Sequence, residues 1–134
     1  MRYIDTNVFL RFLTEKNPPR ELLELFDNLQ KGKEKAKCLD MVFFQVIFVL
    51  KSFYKVEKEK IIKAMKSILS LDGLYMQNKK IIERTIDLWE SHHDDIIDCY
   101  IVANMENDGE TQLYTFDKKI KNLGVKIVEL GKLL

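Results

Sequence analysis

The chain has 134 residues, enough for one domain with a sizeable core, and its 46% hydrophobic and 32% charged residues describe an ordinary globular protein rather than a disordered one. With 22 basic side chains nearly balanced by 21 acidic ones, the net charge is only +1. No global field draws in a polyanion, so any nucleic-acid contact must come from a local patch. Cys38 and Cys99 are too few and too far apart for a disulfide framework or a thiolate metal site, and they read as buried thiols in a reducing compartment. No apolar run approaches the roughly 20 residues that span a bilayer, and the first residues lack the segments of a signal peptide. A cytoplasmic protein without a membrane role is expected.

Met1-Arg2-Tyr3-Ile4-Asp5-Thr6-Asn7-Val8 is a short strand-forming run that stops at an acid and two small polar residues, the pattern of a buried strand emerging into a turn. Ligands of open α/β sheets gather beyond the carboxyl ends of the strands, which makes Asp5 a candidate site residue. Val8 to Leu13 continues as a short helix or tight turn. Asn17-Pro18-Pro19 starts a helix with Leu22, Leu23, Leu25, Phe26 and Leu29 as its apolar face, and Lys31-Gly32-Lys33 closes it. A short strand from Ala36 to Leu39 leads to Asp40, placed to cap the next helix. From Met41 to Leu50 every residue is apolar except Gln45, which predicts a helix buried nearly all round. Its lone amide then needs a polar partner, because an unsatisfied buried group costs about 1–3 kcal/mol.

Lys51 to Lys60 is a charged surface connection, after which Ile61, Ile62, Met65, Ile68 and Leu69 line an amphipathic helix ending near Asp72-Gly73. Leu74 to Met76 is a third brief strand, and Asn78 caps a helix running to Ser91 with Ile81, Ile82, Ile86 and Trp89 inward. Asp95 caps the next helix, which carries Asp98 and ends at Asn107-Asp108-Gly109. Gln112 to Thr115 reads as a strand, Lys118 to Asn122 as a turn of helix, and Val125 to Val128 as the last strand. No repeat, low-complexity segment or linker interrupts the chain, so one domain over residues 1–134 is expected. Strands alternating with helices predict a three-layer α/β/α fold around a central, mainly parallel sheet.

The acids fall where such a fold gathers chemistry. Asp5 and Asp117 end two of the expected strands and so belong to one edge of a parallel sheet, while Asp95 and Asp98 are spaced to share a helix face. Carboxylates crowded into an apolar setting repel one another unless a cation compensates. Hard oxygen ligands of this kind suit Mg²⁺ or Mn²⁺, which can activate water and stabilise the leaving oxygen of a phosphodiester. Plainer readings stand beside this one. Asp5 and Asp117 suit a turn or cap, Asp95 an N-cap, and Asp98 a buried salt bridge to Arg11 or Arg84. Thr6, Asn7 and Thr115 either orient carboxylates or simply form turns. His92 and His93 read first as exposed loop histidines, with metal or substrate contact as the alternative, and Lys118, Lys119 and Lys121 as a solvated face or a steering patch for a phosphate backbone.

Ile4-Asp5-Thr6-Asn7, then Asp95-x-x-Asp98 followed by Ile101-Val102-Ala103, then Thr115-Phe116-Asp117 resemble the three ordered motifs of PIN domains, best the small single-domain type typified by VapC toxins. The resemblance covers essentially the whole chain. It implies an acidic pocket binding Mg²⁺ or Mn²⁺ and metal-dependent endonucleolytic cleavage of RNA. Asp5, Asp98 and Asp117 fall on the family's acidic positions, with Asp95 an occasional further acid. It also implies a homodimer and, for a toxin, a cognate antitoxin. One position departs from the pattern: before the apolar run Val46-Ile47-Phe48-Val49-Leu50 the family usually carries a Glu, and this chain has Gln45. The amide keeps an oxygen ligand and removes a negative charge, which weakens divalent-ion binding.

Three functions are compatible with these residues. The first is a metal-dependent ribonuclease with Asp5, Asp98 and Asp117 positioning the ion or ions. The second is a catalytically feeble PIN-like module that binds RNA or protein, favoured by Gln45. The third, a phosphotransfer enzyme with Asp5 as nucleophile, ranks low, because haloacid-dehalogenase-like phosphatases place a second Asp where this chain has Asn7.

Overall fold

Among the described residues, the strands pair in parallel. The computed structural model describes residues 1–131, and the chain divides into two compact units, one spanning Met1–Lys79 and the other from Lys80 onward.

In the first unit, β1 (Arg2–Tyr3), β2 (Ala36–Lys37) and β3 (Leu74–Tyr75) form a sheet in the order β1-β2-β3. Arg2 stands opposite Ala36 and Ala36 opposite Leu74, while Tyr3 faces Lys37 and Lys37 faces Tyr75. The ladder runs on past the strands, with Ile4 N–H donating to Lys37 O at 3.0 Å and Cys38 N–H to Tyr75 O at 2.9 Å. Parallel strands need long crossovers. Helices α1 (Thr6–Thr14) and α2 (Arg20–Gln30) supply the first, and α3 (Asp40–Ser52) and α4 (Lys58–Leu69) the second.

Helix α1 packs on α2 and α3, and α3 on α4. The Phe12 ring stacks on Phe26 with centroids 3.9 Å apart, and Phe9 meets Phe26 edge-on at 5.8 Å. Gly73 fits where no larger residue does: a Cβ there would sit 1.9 Å from Glu34 O. Its own N–H donates to Leu29 O at 2.8 Å, so the backbone crossing is fixed.

Two expectations for α3 are corrected. Asp40 is the first residue of the helix and not its cap; Leu39 holds the cap position without a side-chain bond. The helix is also not buried all round, because Met41, Gln45 and Phe48 form an exposed stripe along it. Their spacing of four and three residues puts them on one face, opposite buried Phe43, Val46, Ile47 and Leu50.

The second unit contains all but the first residue of α5 (Lys79–Ser91), then α6 (Ile96–Asp108), β4 (Gln112–Tyr114), a 3₁₀ helix (Lys118–Leu123) and β5 (Lys126–Val128). Strands β4 and β5 pair in parallel, Gln112 with Lys126 through Tyr114 with Val128. Gly109, at φ 74°, closes α6 in the left-handed conformation that favours glycine. Arg84 on α5 grips Glu106 on α6 with Nε to Oε1 at 3.0 Å and Nη2 to Oε2 at 3.1 Å. Trp89, Ile82, Ile86, Cys99, Val102 and Ile120 are buried.

Helices carrying the crossovers of all-parallel pairings make this an α/β fold, consistent with the three-layer α/β/α class expected from the sequence. Among the described residues, no helix is long and apolar enough to cross a membrane.

Candidate acidic site

Asp5 sits where β1 gives way to α1. After the last ladder bond at Ile4 the chain stays extended, at φ −92° and ψ 164°, and Asp5 becomes the N-cap of α1 with Oδ1 accepting from Thr6 N–H at 2.6 Å. Asp5, Thr6 and Asn7 line an open cavity of about 440 Å³ together with Leu10, Met41, Val42, Gln45 and Val49. The register of α3 beside α1 thus brings Gln45 to the wall that holds Asp5. Because Gln45 is exposed, water satisfies its amide, and the internal partner that a buried amide would need is not required.

In the second unit Asp95 is the N-cap of α6, its Oδ1 accepting from Ile97 N–H at 2.9 Å and Asp98 N–H at 3.3 Å. One turn in, the Asp98 side chain is only 16% exposed, and its Oδ2 lies 2.9 Å from His93 Nε2. The His93 ring is 7% exposed, which corrects the reading of it as an exposed loop histidine. The loop between the helices is pinned by Trp89 Nε1–H donating to Asp94 O at 2.9 Å, and this holds the ring against the carboxylate.

Neither arginine considered as a partner for Asp98 is available. Arg11 Nε pairs with Glu15 Oε1 at 2.6 Å, one helical turn on, and Arg84 with Glu106. Hydrogen bonding to these glutamates raises the pKa of both guanidinium groups above the ordinary value.

Asp117 caps the 3₁₀ helix, its Oδ1 accepting from Lys119 N–H at 2.9 Å, while Thr115 Oγ1 accepts from Asp117 N–H at 3.0 Å. Thr115 therefore orders the backbone that carries the acid rather than bonding the carboxylate. Thr115, Phe116, Lys118 and Lys121 line a cavity of about 450 Å³ with Ile127, Glu129, Leu130 and Gly131, so two of the lysines face an indentation and not open solvent alone.

Asp5, Asp95 and Asp117 all cap helices through Oδ1, as the plainer readings held. Capping and metal binding are compatible, since a carboxylate has two oxygens and each cap uses only Oδ1. Among the described residues, no three His, Cys, Asp or Glu side chains are grouped closely enough to hold a metal ion. The donor chemistry available is nevertheless of one kind, oxygen from Asp5 and Gln45 in the first unit and from Asp95, Asp98 and Asp117 in the second. Such donors suit Mg²⁺ or Mn²⁺ over softer ions.

The PIN domain family matches residues 2–126, a span that contains Asp5, Asp95, Asp98, Asp117 and Gln45. The chain belongs to the PIN domain family. It is 27% identical over 129 residues to a VapC ribonuclease from Aquifex aeolicus (strain VF5), an alignment covering 96% of each chain.

Proposed function

We propose that this protein is a metal-dependent endoribonuclease that hydrolyses RNA phosphodiester bonds as the toxin of a toxin–antitoxin pair. The observation that carries the reading is collinearity: the family match spans residues 2–126, and the VapC ribonuclease aligns over 96% of both chains. Asp5, Asp98 and Asp117 would hold the ion or ions, with Gln45 and Asp95 as further oxygen donors. When bound, Mg²⁺ or Mn²⁺ supplies the positive charge that favours attack of water on phosphorus and departure of the leaving oxygen.

The chain's own residues prepare for that role. Thr6 N–H fixes one oxygen of Asp5, and Lys119 N–H fixes one oxygen of Asp117, which limits the rotamers open to each carboxylate. His93 Nε2, 2.9 Å from Asp98 Oδ2, holds that carboxylate in place. A cytoplasmic homodimer, restrained by an antitoxin, completes the proposal.

A second reading is a catalytically weakened PIN domain that binds RNA or protein without cutting. Gln45 favours it, because the amide brings no charge to the cavity that holds Asp5. Incubating purified protein with RNA decides between them. Cleavage in Mn²⁺ that stops with chelator is expected; intact RNA at all metal concentrations would favour the second reading.

A further inference from the structure

The sheet of the first unit carries a row of side chains that the acidic site does not use. Tyr3, Lys37 and Tyr75 stand opposite one another in register. Lys37 Nζ lies 5.5 Å from the centre of the Tyr3 ring and 5.6 Å from that of Tyr75. The order across the strands is ring, ammonium, ring. The rungs on either side differ: Ala36 and Leu74 are buried, as are Ile4, Cys38 and Met76. The two tyrosines stay 64% and 48% exposed, although a parallel sheet ordinarily hides both faces under helices.

We propose that this row is a platform for single-stranded RNA, with one base on Tyr3, another on Tyr75 and the intervening phosphate at Lys37 Nζ. The identity of the polyanion rests on the ribonuclease reading; the platform itself rests on the geometry of the row. Neighbouring strands are about 4.8 Å apart, which separates the two rings by roughly 10 Å with the cation between them. Alternating π-faces and positive charge match the alternation of base and phosphate along a single strand, and every base has a face that stacks. Bases in a duplex are paired and cannot lie on the rings. The row also ends next to the proposed chemistry, because Asp5 follows Tyr3 by two residues along an extended chain and so lies on the same side of it.

The test uses the full chain with Asp5→Asn, in chelator so that nothing is cut, titrated against a short fluorescein-labelled single-stranded RNA and read by anisotropy. Tyr3→Leu and Tyr75→Leu are each expected to weaken binding at least about fivefold, the low end of one lost base stack. Tyr3→Phe and Tyr75→Phe keep the affinity. Lys37→Gln lowers the slope of log affinity against log salt by about 0.7, one phosphate on a single strand. Leucine variants that bind like the parent, or phenylalanine variants that lose as much as leucine, overturn the platform. Thermal melts accompany each variant; if one leucine variant fails to fold, the other and the Lys37→Gln salt slope decide. The two proposals fail separately. Cutting by the unmodified chain with unchanged binding in the leucine variants removes only the platform, whereas binding through the row without cutting in Mn²⁺ removes only the nuclease.

Discussion

Asp5 both caps α1 and is proposed to hold metal, and two substitutions separate these roles. Asparagine caps a helix about as well as aspartate, so Asp5→Asn should keep the bond from Thr6 N–H while halving the oxygen donors and removing the charge. Asp5→Ala loses both. The cap is worth about 1 kcal/mol. For 134 residues the unfolding entropy is near 0.28 kcal/mol/K, so the alanine variant should melt roughly 3–4 °C below the parent. The asparagine variant should melt within about 1 °C of it, the cost of a few tenths of a kcal/mol. Both variants should lose RNA cleavage. Calorimetric melting and a cleavage assay on the same preparations give the answer. Equal melting losses in the two variants would refute the cap, and cleavage retained by Asp5→Asn would refute the catalytic assignment.

Other outcomes follow from particular contacts. Gly73→Ala forces a Cβ to within 1.9 Å of Glu34 O; urea unfolding should show a loss of about 3 kcal/mol, and a variant as stable as the parent would contradict the close backbone crossing. Gln45→Glu adds a charge on the cavity wall shared with Asp5 and should tighten Mn²⁺ binding and raise the cleavage rate; unchanged or weaker affinity would show that Gln45 stands away from the ion. Burial, aided by the charge of Asp40, pushes the Cys38 thiol up to about 12 from an ordinary 9.0. The unfolded chain therefore ionises first. The contribution of Cys38 is fully present below about pH 9 and is lost as pH rises toward 12, by up to ~1.4 kcal/mol per pH unit. Cys38→Ala should flatten that part of the alkaline stability curve, and an identical slope in the variant would count against the buried thiol.

Much of this architecture is legible in local signals. The strands at Arg2–Tyr3, Ala36–Lys37 and Leu74–Tyr75 follow from short apolar runs bounded by turn residues, and α6 follows from Asp95 at one end and Gly109 at the other. Helix α3 was harder to read because apolar composition does not fix exposure. Met41 is 83% exposed despite its type, and a run in which nearly every residue is apolar carries no phase to show which side faces water.

The surroundings of Asp98 depended on contacts between elements. Arg11 with Glu15 is a pair four residues apart, visible in the sequence as a rival to Asp98. Arg84 with Glu106 joins two helices and is not. His93 was missed as a partner because its burial depends on Trp89 pinning the following loop, a tertiary bond that no loop propensity anticipates. Its signal was proximity alone, an imidazole five residues before the acid.

The central claim of the proposed function is that the carboxylates of Asp5 and Asp98 are each needed for divalent-ion binding. Titrating Mn²⁺ into the unmodified protein, Asp5→Asn and Asp98→Asn by isothermal calorimetry tests it most directly. Loss of Mn²⁺ binding in each variant, with melting curves that still show a folded protein, is the predicted result. Undiminished Mn²⁺ binding in either variant would contradict it.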